Sequence, residues 1–291
     1  MKRFLLSFFV VLASLSLSAE ETTTWGYVNK SFDKLESVGA SQAYYYSAAI
    51  ALPTIYNLKD AQITAVNIPL NTLNINSVSV WVKDSNGKTL VTQPVTVADL
   101  VVGYNKIALP SPITISEPLM VGYTFKVRAA TTDADKWPLL CVASGQESIE
   151  GTQFAKYAST AAASMQLEDF PYVLGITVDV LGFKSAKYNV EMIASDDVYA
   201  LPGETVSSNV QVLSNGERNV TSVELEVDVD GVVTTQTVSG IVAAGVMKLG
   251  ALNVKFAAPD QIGDYNVNLK ILKVNGEANA QESTISIPCH V

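Results

Sequence analysis

Val223-Glu224-Leu225-Glu226-Val227-Asp228-Val229-Asp230-Gly231 alternates apolar and acidic residues without a break and then ends on a turn dipeptide. A period of two puts Val223, Leu225, Val227 and Val229 on one face and Glu224, Glu226, Asp228 and Asp230 on the other. The stretch therefore predicts a half-buried strand with a row of carboxylates turned to water. Asp-Gly after such a run signals a hairpin, because both central residues of a type I′ turn need positive φ. Working outward, Asn215-Gly216 precedes this strand and Asn275-Gly276 follows it, a spacing that suits a sandwich of about seven short strands.

The same alternation recurs upstream. In Ser77-Val78-Ser79-Val80-Trp81-Val82-Lys83-Asp84 the valines take one face and Ser79, Trp81 and Lys83 the other, with Asn86-Gly87 as the expected type I′ turn. Leu119, Val121, Tyr123, Phe125 and Val127 repeat the pattern, as do Tyr172, Leu174, Ile176, Val178 and Val180. No stretch beyond about ten residues keeps a helical period, and Ala-rich 159–166 is the best short helix or irregular loop. The polar link Gly182-Phe183-Lys184-Ser185-Ala186 separates two strand-rich parts. The expectation is an all-β fold of two sandwiches in tandem, an N-terminal one over 20–185 and an immunoglobulin-like one over 186–291.

Ahead of both stands Met1-Lys2-Arg3, then Phe4-Leu5-Leu6-Ser7-Phe8-Phe9-Val10-Val11-Leu12-Ala13 and a small-residue exit at Ala19. Two cations, a short apolar run and a small residue form a secretory signal peptide over 1–19, too short to span a bilayer. The chain is expected to be exported, to the periplasm, the cell surface or the medium. No second long apolar run follows, so no transmembrane segment is expected in the mature chain. No Cys stands near the cleavage point to take a lipid, so retention at a surface would need a partner. The formal charge is −9, and only 16% of residues are charged against 48% apolar. A net negative, Lys/Arg-poor chain disfavours nucleic acid, whose phosphates are bound through Lys and Arg. Neutral sugars, cations and basic protein surfaces stay open as partners.

Cys141 and Cys289 lie far apart in a chain destined for an oxidising compartment. They would form a disulfide if the fold brings their Cα atoms within about 7 Å; otherwise Cys141, in Pro138-Leu139-Leu140-Cys141-Val142, is a small core residue. The only histidine, His290, is penultimate, where a frayed end is expected rather than a rigid catalytic base. Asp133 and Asp135 sit in a polar loop and could offer oxygens to Ca2+, although two carboxylates fall short of the six to eight ligands that ion takes; otherwise they belong to a solvated loop. Glu168-Asp169 sit in another loop, and a glycosidase-like pair would need two carboxyl groups about 5 to 9.5 Å apart across a cleft. Trp25, Trp81, Tyr44, Tyr46 and Trp137 are the candidate ligand-binding rings, since an exposed ring stacks on sugars or anchors a protein partner. The competing reading places Trp81 in a core. Phosphate loops, Gly-x-Ser-x-Gly and His-Glu-x-x-His are absent from the sequence.

Leu201-Pro202-Gly203-Glu204-Thr205-Val206, Val210-Gln211-Val212-Leu213-Ser214-Asn215-Gly216 and Val227-Asp228-Val229-Asp230-Gly231 together resemble the adhesion-related immunoglobulin-like domain called CARDB. In that family a Pro-Gly-Glu precedes a strand, an Asn-Gly turn follows it and a Val-Asp-Gly hairpin comes next. The first part is similar to an N-terminal β-sandwich module of secreted Bacteroidetes proteins. The residues that carry this likeness are Ser37-Val38-Gly39-Ala40, Tyr46-Ser47-Ala48-Ala49-Ile50-Ala51-Leu52-Pro53, Val78-Ser79-Val80-Trp81-Val82 and Gly175-Ile176-Thr177-Val178. It implies a jelly-roll-like sandwich. Such tandems precede thioredoxin-like domains of an outer-membrane protein family or accompany surface proteases and adhesins. Here the sequence stops at Val291 and holds no Cys-x-x-Cys, so no redox or protease activity carries over.

These readings converge on a secreted, non-enzymatic adhesion or binding protein without a cofactor, recognising an extracellular carbohydrate or protein. Two other classes remain: a structural or accessory module of a larger cell-surface system, and a hydrolase working through loop carboxylates. The second of these would need two facing carboxyl groups in a cleft lined with aromatics.

Overall fold

A computed structural model describes residues 21–40, 44–128, 138–146, 148–242 and 248–291. The expected leader, Asp133, Asp135 and Trp137 lie outside the described residues. In chain order the first strands are β1 (Thr22–Gly26), β2 (Glu36–Val38), β3 (Tyr45–Leu52), β4 (Gln62–Leu70), β5 (Ile75–Lys83), β6 (Thr89–Val95) and β7 (Gly103–Thr114). Next come β8 (Leu119–Val127), β9 (Leu139–Val142), β10 (Gln153–Ala158), a single-turn helix α1 (Ala161–Ser164), β11 (Glu168–Asp169), β12 (Val173–Leu174) and β13 (Thr177–Leu181). Then follow β14 (Val190–Ser195), β15 (Val198–Tyr199), β16 (Thr205–Ser214), β17 (Val220–Val229) and β18 (Val232–Val242). The last are β19 (Lys248–Ala257), β20 (Asp264–Val274), β21 (Glu277–Ala278) and β22 (Thr284–His290). The fold is all-β, as the alternation predicts.

Sheets β1-β13-β4-β7 and β11-β10-β3-β8-β5-β6 face each other across the first core, with β12-β9-β2 closing one side. The chain crosses from one sheet to the other at β3/β4, β4/β5, β6/β7 and β7/β8. Sheets β14-β16-β19 and β15-β22-β20-β17-β18 enclose a second core, and the two cores share no residue. Among the described residues every strand pair is antiparallel except β15 with β22.

The faces follow the period of two. Val78, Val80 and Val82 point into the first core, and Val223, Leu225 and Val227 into the second. Asp230 and Gly231 both take positive φ and pair Val229 with Val232, the expected two-residue hairpin. Asn275-Gly276 does the same between β20 and β21.

Three expectations are corrected. At Asn86-Gly87 only Gly87 takes positive φ, because the Asp84 carboxylate accepts from the amides of Asn86 and Lys88, both at 2.9 Å, and draws the chain into a longer, bulged turn. Asn215-Gly216 is not a left-handed turn; a Cβ on Gly216 would lie 2.8 Å from backbone atoms of Lys187, Tyr188 and Asn189, so glycine serves close approach there. Finally, the run from Tyr172 to Val180 splits at Gly175 into β12 and β13, which belong to different sheets. Leu35 and Pro69 press on Gly175 so closely that a Cβ would sit 2.8 Å from each, and the chain changes sheet there.

Candidate binding surface

The connections of the second sandwich alternate between its two ends. Residues 215–219 and 275–283 lie at the end facing the first sandwich, whereas 196–204, 230–231 and 258–263 lie at the far end. Backbone hydrogen bonds tie these far connections together, Gly203 N to Pro259 O at 3.1 Å and Ala258 N to Glu204 O at 2.8 Å. Val291 pairs with Gly263 beside them.

At this far end the sandwich fails to close. Register places Val232, Thr234, Gln236 and Val238 opposite Val229, Val227, Leu225 and Val223, so all four point to the core face of β18. Their exposure nevertheless climbs along the strand. Val238 is 7% exposed, Gln236 half-buried, Thr234 exposed, and Val232 66% exposed. Gln236 marks where the sheets meet, its Oε1 accepting from the Lys255 amide of β19 at 3.0 Å. Beyond it the two sheets part, leaving a notch of about 540 Å3 between Val229, Val232, Thr234 and Tyr265 of one sheet and Phe256 of the other, with Pro259 on the loop that follows β19. That volume falls within the roughly 300–1,000 Å3 of ordinary ligand pockets. Tyr199 at the end of β15, and Leu201 and Ile262 on the adjoining loops, are 75%, 71% and 85% exposed.

His290 belongs to this end as well, and it is not frayed. It closes β22, its Nδ1 lies 2.7 Å from Asp264 Oδ1, and Tyr199 stacks on its ring at 4.8 Å. Pairing of β15 with β22 holds it there, a tertiary contact that nothing in the local sequence announces.

The aromatic candidates distribute differently from the expectation. Trp25 is buried at 3% exposure, edge-on to Tyr27 at 5.0 Å, and borders a small cleft of about 160 Å3 with Asn57 and Phe183 where the sandwiches meet. Tyr46 is fully buried and stacks on Phe125 at 5.4 Å. Trp81 lies on the outer face, as its alternation requires, yet is only 2% exposed. Its Nε1 donates to Thr124 at 3.0 Å, its ring lies against Gly122, and the Lys83 ammonium sits 4.8 Å from the ring centroid. Met165, just past α1, joins the same patch, with Sδ 2.9 Å from Thr124 Oγ1. Burial removes Trp25, Tyr46 and Trp81 as surface stacking rings. Of the described candidates only Tyr44, half exposed, remains available.

The disulfide expectation is also corrected. Cys141 and Cys289 are free thiols, each buried in a different core. Burial, helped by the nearby Glu36 charge, pushes the Cys141 thiol up to about 12, and burial raises Cys289 too. Neither is a reactive thiolate near neutral pH. Glu168 and Asp169 are exposed, and Glu168 is paired with Lys156 Nζ at 2.6 Å. Among the described residues no three His, Cys, Asp or Glu side chains group so as to hold a metal ion, and no helix is long and apolar enough to cross a membrane.

A groove of about 500 Å3 runs along the first sandwich past Pro94, Asp99, Tyr104 and Lys106. Asn105 beneath it is committed inward, accepting from Val101 N and donating to the carbonyls of Val101 and Gly103. The notch differs in that core-facing apolar side chains are left uncovered.

No family model matches the sequence, and no curated protein matches it. Among solved structures, the CARDB domain of the PF1109 protein from Pyrococcus furiosus is similar over 37% of this chain and 96% of that one, at 21% identity and a TM-score of 0.26. A β-glucuronidase from Bifidobacterium dentium is similar over 86% of this chain at 9% identity and a TM-score of 0.25, and red sea bream transglutaminase over 88% at 9% and 0.23. The chain spans 40% of the first enzyme and 31% of the second. The fold class accordingly rests on the chain's own strands and cores.

Proposed function

We propose that this chain is an exported, non-enzymatic binding module that engages an extracellular protein or glycan through the far end of its second sandwich. The single observation that carries the reading is the open notch, where core-facing Val232 and Thr234 meet solvent beside Leu201 and Ile262. Leaving apolar side chains out of a sandwich that closes elsewhere forfeits burial, at about 25 cal/mol per Å2 of apolar surface. Clustered exposure of this kind marks interaction surfaces on soluble proteins. Export rests on the leader, and attachment to a cell surface would follow from whatever the notch recognises.

The test is a screen of the full chain, expressed with its leader, against glycan arrays and extracellular-matrix proteins, with Val232→Glu alongside. The reading expects a product beginning at Glu20 and at least one bound component that is lost with Val232→Glu. Retention of the leader would remove the exported role. Failure to bind anything, or binding indifferent to Val232→Glu, would remove the binding role.

A further inference from the structure

The charge around the notch points to the class of partner. Asp230 and Asp260 line it, and Asp196, Asp197, Glu204 and Asp264 occupy the same end. Not one Lys or Arg occurs in 196–204, 228–232 or 258–265. The cations of this sandwich collect at the opposite end or along the strands leading to it, at Lys187, Arg218, Lys248, Lys270 and Lys273, where Lys187 and Lys270 pair with Glu277 and Glu282. Lys255 falls between core-facing Val254 and Phe256 and so points away from the notch. Among the described residues neither Asp230 nor Asp260 is in an ion pair. His290 faces Asp264 and Asp197 at 2.7 and 3.9 Å, so the charge that meets the apolar gap is that of Asp230 and Asp260, and a field of one sign steers and selects partners of the other.

We infer that the notch accepts an extended, cationic segment of a protein partner, one apolar side chain filling the gap between the sheets while flanking Lys or Arg residues meet Asp230 and Asp260. An apolar side chain is required because Val232, Thr234 and Phe256 continue the core lining and offer no ionic contact. An extended backbone is favoured because the notch opens beside β18, which among the described residues pairs with β17 alone and whose Val232-Val233-Thr234-Thr235-Gln236-Thr237 carries neither the charge nor the Pro that blocks strand addition. The inference rests on the binding role proposed above and narrows it to one partner chemistry.

The experiment uses the full chain and three labelled hexapeptides, alternating Lys-Leu, Lys-Ser and Glu-Leu, followed by fluorescence anisotropy at low and physiological salt. The Lys-Leu peptide should bind, weaken with salt, and bind at least about tenfold more tightly than either of the others. Asp230→Asn with Asp260→Asn should weaken it about tenfold, since each screened surface charge contact is worth a few-fold in affinity. Asn tolerates the positive φ at position 230, so that substitution leaves the hairpin intact. Val232→Glu, at an exposed position, should weaken it by a similar factor, with near-ultraviolet circular dichroism unchanged. Equal binding of the Lys-Ser or Glu-Leu peptide, no binding of Lys-Leu, or indifference to all three substitutions overturns the inference. If the peptide fails while a component found in the screen still depends on Val232, the cationic specificity falls and the binding role stands. If neither depends on Val232, both fall.

Discussion

Asn189 donates through Nδ2 to Oδ1 of Asn57 at 3.0 Å, and both side chains are buried where the first sandwich meets the second. Asn57 also donates to Lys184 O at 2.7 Å and accepts at its own carbonyl from Lys184 N at 3.0 Å, so one loop residue of the first sandwich holds both the linker and the start of β14. Asn57→Ala would strand the buried Asn189 amide, at a cost of about 1–3 kcal/mol. Calorimetry should then show the unfolding transition lowered or separated into two relative to the wild type, with a wider distance distribution in small-angle scattering. A variant with unchanged melting and unchanged scattering would remove the role given to this pair.

Gly122 permits the burial of Trp81. A Cβ there would lie 2.4 Å from Ala48 O and 2.7 Å from the Trp81 ring, in the middle of the six-stranded sheet. Gly122→Ala should cost at least about 2 kcal/mol, within the range for overpacking a close-packed site. Urea unfolding reads the loss, and a red-shifted tryptophan emission in the native baseline would report the displaced ring. Wild-type stability in this variant would contradict the packing described.

Asp179 should make stability acid-sensitive. Burial raises the pKa of its carboxyl, but hydrogen bonds from Lys106, Asn67 and Thr24 together outweigh that and hold it below the usual value. Because the folded pKa lies below the unfolded one, this stabilisation is full above the unfolded value of about 3.9 and is lost as pH falls through the folded value. Denaturation midpoints of the wild type should fall below about pH 4, and Asp179→Asn should flatten that part of the profile while lowering stability at pH 7. A parallel acid limb in the variant would assign the sensitivity to other carboxylates.

Thiol titration separates the two readings of the cysteines. The native chain should react with no aromatic disulfide reagent, and the chain unfolded without reductant should release two equivalents, one each from Cys141 and Cys289. A chain silent under both conditions would carry the bridge that the fold excludes.

What could be seen in the sequence was whatever depends on neighbours along the chain. The faces of Val78, Val80 and Val82, and of Val223, Leu225 and Val227, are set by the pleat itself. Asp230-Gly231 and Asn275-Gly276 are legible because a two-residue loop leaves only residues that tolerate positive φ. Asn86-Gly87 misled because the competing acceptor, the Asp84 side chain, lies just outside the dipeptide. The open notch was out of reach for a related reason. Val232 and Val238 sit on the same strand face, and their difference in exposure comes from where the opposite sheet ends. Trp81 shows the converse: its face was predictable, but its cover of Thr124, Lys83 and the Met165 patch is assembled from distant segments.

The central claim is that the open end of the second sandwich is the surface this chain binds with. Its most direct test is methyl nuclear magnetic resonance of the full chain titrated with the component recovered in the screen. The account predicts shifts concentrated on Val229, Val232, Leu201 and Ile262, with Val78, Val80 and Val121 of the first core unmoved. Shifts confined to the first sandwich, or spread evenly over both, would contradict it.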